Sequence, residues 1–137
     1  MKKLFADTNI VIDLLSRRVP FYDEVAILFS LADKKKIELS VSALTISNTG
    51  YILLSQMDVK GVKSLLRKLR LIIKMLPLDD KTTALALNDD NFPDFEDAIQ
   101  YFTAIENQQD IIITRNLKDF KHSKLPVMTA RQFIETI

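Results

Sequence analysis

Short apolar runs alternate with longer stretches of helical spacing along almost the whole chain. Lys3–Ala6 and Ile37–Val41 are compact, rich in strand-forming residues and bounded by polar positions, and each predicts a strand. Asp110–Thr114 (DIIIT) and Pro126–Met128 (PVM) repeat the pattern, and Ile72–Leu76 (IIKML) is a fifth, weaker instance. Between them, apolar residues recur at helical intervals over about 9–15, 21–35, 43–56, 59–71, 79–89, 95–107 and 129–136. Strand followed by helix, repeated, predicts an α/β fold: a central parallel β-sheet of about four to five strands flanked by helices on both faces. Ligands of such sheets bind beyond the carboxyl ends of the strands.

A length of 137 residues suits one domain over 1–137 with a sizeable core. Hydrophobic residues make up 47% and charged residues 27%, an ordinary globular mixture. No apolar run approaches the ~18–20 residues that span a bilayer, so no membrane association is expected and the cytoplasm is the expected location. Cysteine is absent and His122 is the one histidine. That excludes a disulfide framework, a thiol nucleophile and a thiolate or histidine-cluster zinc site, so any metal must be held by oxygen. Gly50 and Gly61 are the only glycines, which excludes the P-loop and the dinucleotide-binding loop. A net charge of +1 leaves the question of a nucleic-acid partner to local charge distribution.

Three segments place polar chemistry at strand ends or helix starts. Asp7-Thr8-Asn9 follows the first strand. Asp7 is a hard oxygen donor suited to magnesium, with Thr8 and Asn9 able to orient it, although all three residue types also favour helix N-caps. Asp94-Phe95-Glu96-Asp97 puts three acids within four residues at the start of a helix, where Asp94 is the natural N-cap and the helix dipole favours Asp97. Thr114-Arg115-Asn116 follows the fourth strand, with Asp119 three residues on. Thr114 and Asn116 are placed to ligate through water or to hold carboxylates, while Asn116 and Asp119 are equally ordinary turn residues. Each segment alone has a structural explanation. Their joint attachment to elements that a parallel sheet brings to one crevice makes a carboxylate cluster.

FADTNIVIDLL at the start, DFEDAIQYFTA late and IIITRNLKDF after it resemble, in this order, the PIN domain family in its VapC-like bacterial toxin branch, over nearly the whole chain. In similar proteins the first Asp, a Glu on the third helix, an Asp opening a late helix and an acid or Asn after the late strand bind one or two divalent ions. The resemblance therefore implies that Asp7, Asp97 and Asp94 hold Mg2+ or Mn2+, with Asn116 or Asp119 completing the catalytic set and Thr8, Asn9, Asn48 and Thr114 supporting it. It departs from the pattern at position 48, where Asn48 stands in place of the usual Glu and lacks its negative charge; Asp94 is the residue expected to offset that loss. The implied chemistry is metal-assisted hydrolysis of an RNA phosphodiester by water, leaving a 3′-hydroxyl.

No acid lies between Asp58 and Asp79. On a helical projection Lys60, Lys63, Arg67, Arg70 and Lys74 fall within about 80° of one another, opposite Val62, Leu65, Leu66, Leu69 and Ile73. This predicts a basic ridge for an RNA backbone or an acidic partner, or simply a solvated face. Three functions follow: a Mg2+-dependent endoribonuclease acting as the toxin of a toxin–antitoxin pair, with an antitoxin partner and, by the resemblance, a homodimer; a catalytically degenerate PIN-fold module that binds RNA or protein; and a phospho-acceptor domain built on Asp7, against which stands the lack of paired acids and a late Lys.

Overall fold

The computed structural model describes residues Met1–Ile137. Five parallel strands, β1 (Lys3–Ala6), β2 (Glu38–Ser42), β3 (Lys74–Leu76), β4 (Ile111–Ile113) and β5 (Val127–Met128), form one sheet in the order β3-β2-β1-β4-β5. Helices α1 (Thr8–Leu15), α2 (Tyr22–Asp33), α3 (Ala43–Leu53), α4 (Val59–Leu69), α5 (Asp80–Leu87), α6 (Phe95–Glu106) and α7 (Ala130–Ile134) connect them. The expected α/β architecture with a parallel sheet is what the chain adopts. No helix is long and apolar enough to cross a membrane.

Alternation along the strands builds a core on each face of the sheet. Leu4 and Ala6 of β1 and Ile111 and Ile113 of β4 join Ile10, Val11, Val25, Leu28 and Phe133 on one side. Phe5 and Ile112, one residue out of step, join Ala98, Ile99, Tyr101, Phe92 and Phe120 on the other. The central strands are apolar on both faces because helices cover both. Most helices begin where a short polar side chain satisfies their free amides: Ser42 caps α3, Asp58 caps α4, Asp79 caps α5, and Thr129 with Gln132 forms a capping box on α7.

The chain leaves β1 for β2 and β3 on one side and returns to β4 and β5 on the other, so the strand order reverses beside β1. Phe5 pairs with Ser40 on one side and Ile112 on the other. Neighbouring connections diverge at this point and open a crevice at the carboxyl ends of the strands. Asp7, Ser42 and Thr114 are the residues that directly follow or end β1, β2 and β4.

The structure corrects the basic ridge at one position. Lys74 belongs to β3 and not to the helix, because α4 stops at Leu69 with Arg70 as its C-cap and the β-branched Ile72–Ile73 pair leads into an edge strand registered on β2, Ser40 opposite Lys74. Its ammonium lies 3.7 Å from Glu38. Lys60, Lys63, Arg67 and Arg70 stay on α4 or its cap, and Lys63, Arg67 and Arg70 line a shallow groove with Ile46, Leu66 and Met75.

Candidate active site

Asp7 is the N-cap of α1 and only 7% exposed. Each of its oxygens accepts two hydrogen bonds. Oδ1 accepts from the Thr8 amide at 2.8 Å and from Gln100 Nε2 at 3.1 Å, while Oδ2 accepts from Thr114 Oγ1 at 2.9 Å and from Asn9 Nδ2 at 3.4 Å. A carboxylate placed this deep in the protein is costly unless hydrogen-bonded, and it has drawn donors from three parts of the chain: the start of α1, α6 and the turn after β4. Burial still pushes its pKa above the usual carboxylate value, against the hydrogen bonds from Gln100, Thr114 and Thr8 that pull it down, and Asp119 adds a further upward push.

The donors are themselves held. Gln100 Nε2 also donates to Thr45 Oγ1 at 2.7 Å, its Oε1 accepts from Ser42 Oγ, and Thr8 and Thr45 share a hydroxyl contact of 2.9 Å. Asn9 Nδ2 donates to Thr114 Oγ1 and Asn9 Oδ1 accepts from the Arg115 amide, tying α1 to the turn after β4. Beneath that turn the guanidinium of Arg115 closes on Asp13, 2.6 Å from Nε to Oδ2, and lies 4.2 Å from the centre of the Phe21 ring. Asp13 is fully buried. This ion pair fixes the turn that carries Thr114 and Asn116.

A crevice of about 440 Å3 opens over this network, lined among others by Asp7, Thr8, Asn9, Asn48, Asp97 and Asn116. Each of the three separated segments thus contributes at least one residue to one cavity, whereas Asp94, Thr114 and Asp119 do not line it. Thr114 lies under it as a fully buried donor. Asp97, half-buried in the first turn of α6, has its carboxyl pushed up to about 7, first by burial and then by the charges of Asp7, Asp94, Asp119 and Glu96. Asp94 and Asp119 line a smaller adjoining hollow of about 140 Å3 on Asp97, together with Lys118, Lys121 and His122. Asp94 caps α6, its Oδ1 accepting from the amides of Glu96 at 2.8 Å and Asp97 at 3.4 Å. Asp119 sits on a 3-10 turn, Leu117–Phe120, absent from the periodicity because it is too short to show one; the buried Phe120 anchors it.

Several crevice residues escape a reading of local pattern. Gln100 and Tyr51 line the crevice, Arg18 brings a guanidinium to its wall, and Ser42 and Thr45, outside the lining, hold Gln100. A trace of Gln100 exists in the sequence: it is a polar residue among Ala98, Ile99 and Tyr101, one turn beyond Asp97.

The donors facing the crevice are carboxylate, carboxamide and hydroxyl oxygens, a set suited to a hard divalent cation. Behind burial, the negative charges of Asp7, Asp94, Asp119 and Glu96 press on Asp97. A bound cation would relieve that repulsion. No three acids or histidines gather about one point closely enough to enclose an ion. The site fits by charge and donor type, with its acids arrayed along the crevice.

Comparison with known proteins identifies the family to which the fold belongs. Ribonuclease VapC1 of Aquifex aeolicus (strain VF5) is 31% identical over 140 residues, covering 98% of this chain and 94% of the relative. Among solved structures, a toxin–antitoxin complex from Klebsiella pneumoniae superposes with a TM-score of 0.68 at 23% identity, over 94% of this chain and 98% of that one. VapBC2 from Rickettsia felis, bound to a DNA fragment from its promoter, gives 0.66 at 17% identity, over 91% and 96%. The PIN domain family model matches residues 3–118, from β1 through the turn that carries Asn116, and with the relative's identity over nearly the full length it places this chain in the PIN domain family.

Proposed function

We propose that this chain is an endoribonuclease dependent on Mg2+ or Mn2+ and serves as the toxin of a type II toxin–antitoxin pair. The observation that carries the reading is the buried, hydrogen-bonded carboxylate of Asp7 sharing a crevice with Asp97, whose charged form is disfavoured by burial and then by its acidic neighbours. The related ribonuclease supports RNA as substrate, and the toxin–antitoxin complexes of like fold support an antitoxin as partner. Asp7 and Asp97 would hold the ion, with Asn116 and Asp119 beside them. A divalent ion held there would polarise the scissile phosphate and acidify a bound water for in-line attack.

The chain's own residues prepare the site for that chemistry. Gln100, Thr114, Asn9 and the Thr8 amide lock Asp7 in one orientation, so little reorganisation is needed when substrate arrives. Arg18 on the crevice wall is suited to a phosphate oxygen, offsetting the repulsion that an acidic crevice exerts on a polyanion. The basic face of α4, Lys60, Lys63, Arg67 and Arg70, with Lys74 beyond it, is the surface assigned to RNA backbone or antitoxin contact. Such a toxin acts in the cytoplasm, and similar proteins lead us to expect a homodimer.

The test is cleavage of RNA by the purified protein with EDTA, Mg2+ or Mn2+. Cleavage in either metal and none in EDTA supports the proposal. No cleavage in any of them would identify a degenerate module that binds RNA or protein, and cleavage in EDTA would refute metal dependence.

A further inference from the structure

Position 48 is where α3 presents an amide to the crevice in place of a carboxylate. Asn48 is half-buried and lines the cavity that holds Asp7 and Asp97. Its Nδ2 donates to Glu96 Oε2 at 3.4 Å. Glu96 stands on the opposite wall, one residue before Asp97 on α6, and lines the same cavity. It takes part in none of the ion pairs of the protein, which engage Glu24, Glu38, Glu106, Glu135 and Asp13. The dipole of α6 accounts for an acid in its first turn but not for one reaching across the crevice to α3. Asp94, the other acid near Asp97, is committed to the amides that start α6 and lines the adjoining hollow instead.

We infer that Glu96 supplies from α6 the carboxylate that α3 lacks at Asn48, so that one negative charge of the cation site is delivered from the opposite wall and Asn48 is the positioning residue that holds it there. The inference rests on the metal-dependent reading of the same crevice. A neutral amide keeps an oxygen donor but adds no charge, and hard cations are bound in proportion to the charge of their ligands. Moving the acid across a crevice whose walls already touch through the Asn48–Glu96 contact keeps its charge in the same cavity.

Calorimetry of Mn2+ binding to the full chain, without RNA, tests this on four proteins: the natural sequence, Asp7→Asn, Glu96→Gln, and Glu96→Gln combined with Asn48→Glu. The expected result is a loss of about tenfold in affinity for Glu96→Gln, recovery in the double variant, and no binding for Asp7→Asn. Glu96 is exposed, so its metal-free melting temperature should barely move, which separates a ligand role from a folding role. Unchanged affinity in Glu96→Gln, with binding lost in Asp7→Asn, overturns the inference alone. Failure of the double variant to recover also overturns it. Absence of Mn2+ binding by the natural sequence overturns the metal-dependent reading and the inference with it.

Discussion

Gln100 Nε2 donates to Asp7 Oδ1 at 3.1 Å, across 93 residues of chain. The same amide group reaches Thr45, and its oxygen takes the Ser42 hydroxyl. One side chain thus braces the ends of β1 and β2 against the first turns of α6. Gln100 is 2% exposed, so its removal leaves buried donors and acceptors without partners. Gln100→Ala should cost about 1–3 kcal/mol in unfolding free energy, read by urea denaturation. It should also push the Asp7 carboxyl further up, since the hydrogen bond it removes is the largest influence holding that group down.

Asp7→Asn should abolish cleavage while keeping the fold. The amide is isosteric with the carboxylate and retains an oxygen for Gln100 and Thr8. Because burial disfavours the charged form of Asp7, the neutral substitute should leave the metal-free melting temperature unchanged or raise it. A clear fall in melting temperature, or cleavage at the natural rate, would make Asp7 a structural cap.

The raised carboxyl of Asp97 gives the metal-free protein a pH dependence of defined sign. Folded Asp97 titrates near about 7 against an ordinary 3.8, so it binds a proton more tightly folded than unfolded. Its contribution to stability is complete below the ordinary value and is lost as pH rises through about 7. The melting temperature of the natural protein should therefore fall relative to that of Asp97→Asn between pH 4 and 8, measured in EDTA. Parallel pH curves for the two proteins would contradict the shift.

Arg115→Met should be among the most destabilising changes outside the crevice. It strands Asp13, fully buried, without its cation, at a cost of about 3–5 kcal/mol. Changing Asp13→Leu and Arg115→Met together should recover most of that loss, since a buried pair replaced by apolar groups is often neutral. If the double change is as unstable as the single one, the pair contributes through more than charge compensation.

Asp94→Ala and Asp97→Asn should fail in different ways. The first removes the cap of α6 and should cost about 1 kcal/mol of stability. The second should damage cleavage more than Asp94→Asn does, because Asp97 faces the crevice with Asp7. Unfolding curves and cleavage rates on the three variants separate the two roles, and the reverse order of cleavage would move the ligand to Asp94.

The strands and helices were legible in the chain because apolar periodicity is local: a run such as Ile111-Ile112-Ile113 must be buried on both faces wherever it goes, and a helix such as α6 shows its apolar positions and its cap within a few residues. The three polar segments around Asp7, Asp97 and Thr114 were legible for the same reason, since each breaks the pattern at an element end. Tertiary structure alone decided what meets what. Gln100 braces Asp7 and Glu96 faces Asn48 only because β1 lies between β2 and β4, and no local pattern encodes that order. Lys74 shows the same limit at short range: helical spacing fits it to the basic ridge, but pairing with β2 outweighs the continuation of α4. Periodicity reports which way a side chain must point relative to its own element, whereas two of the four donors that satisfy the buried Asp7 carboxylate, Gln100 and Thr114, come from about a hundred positions away.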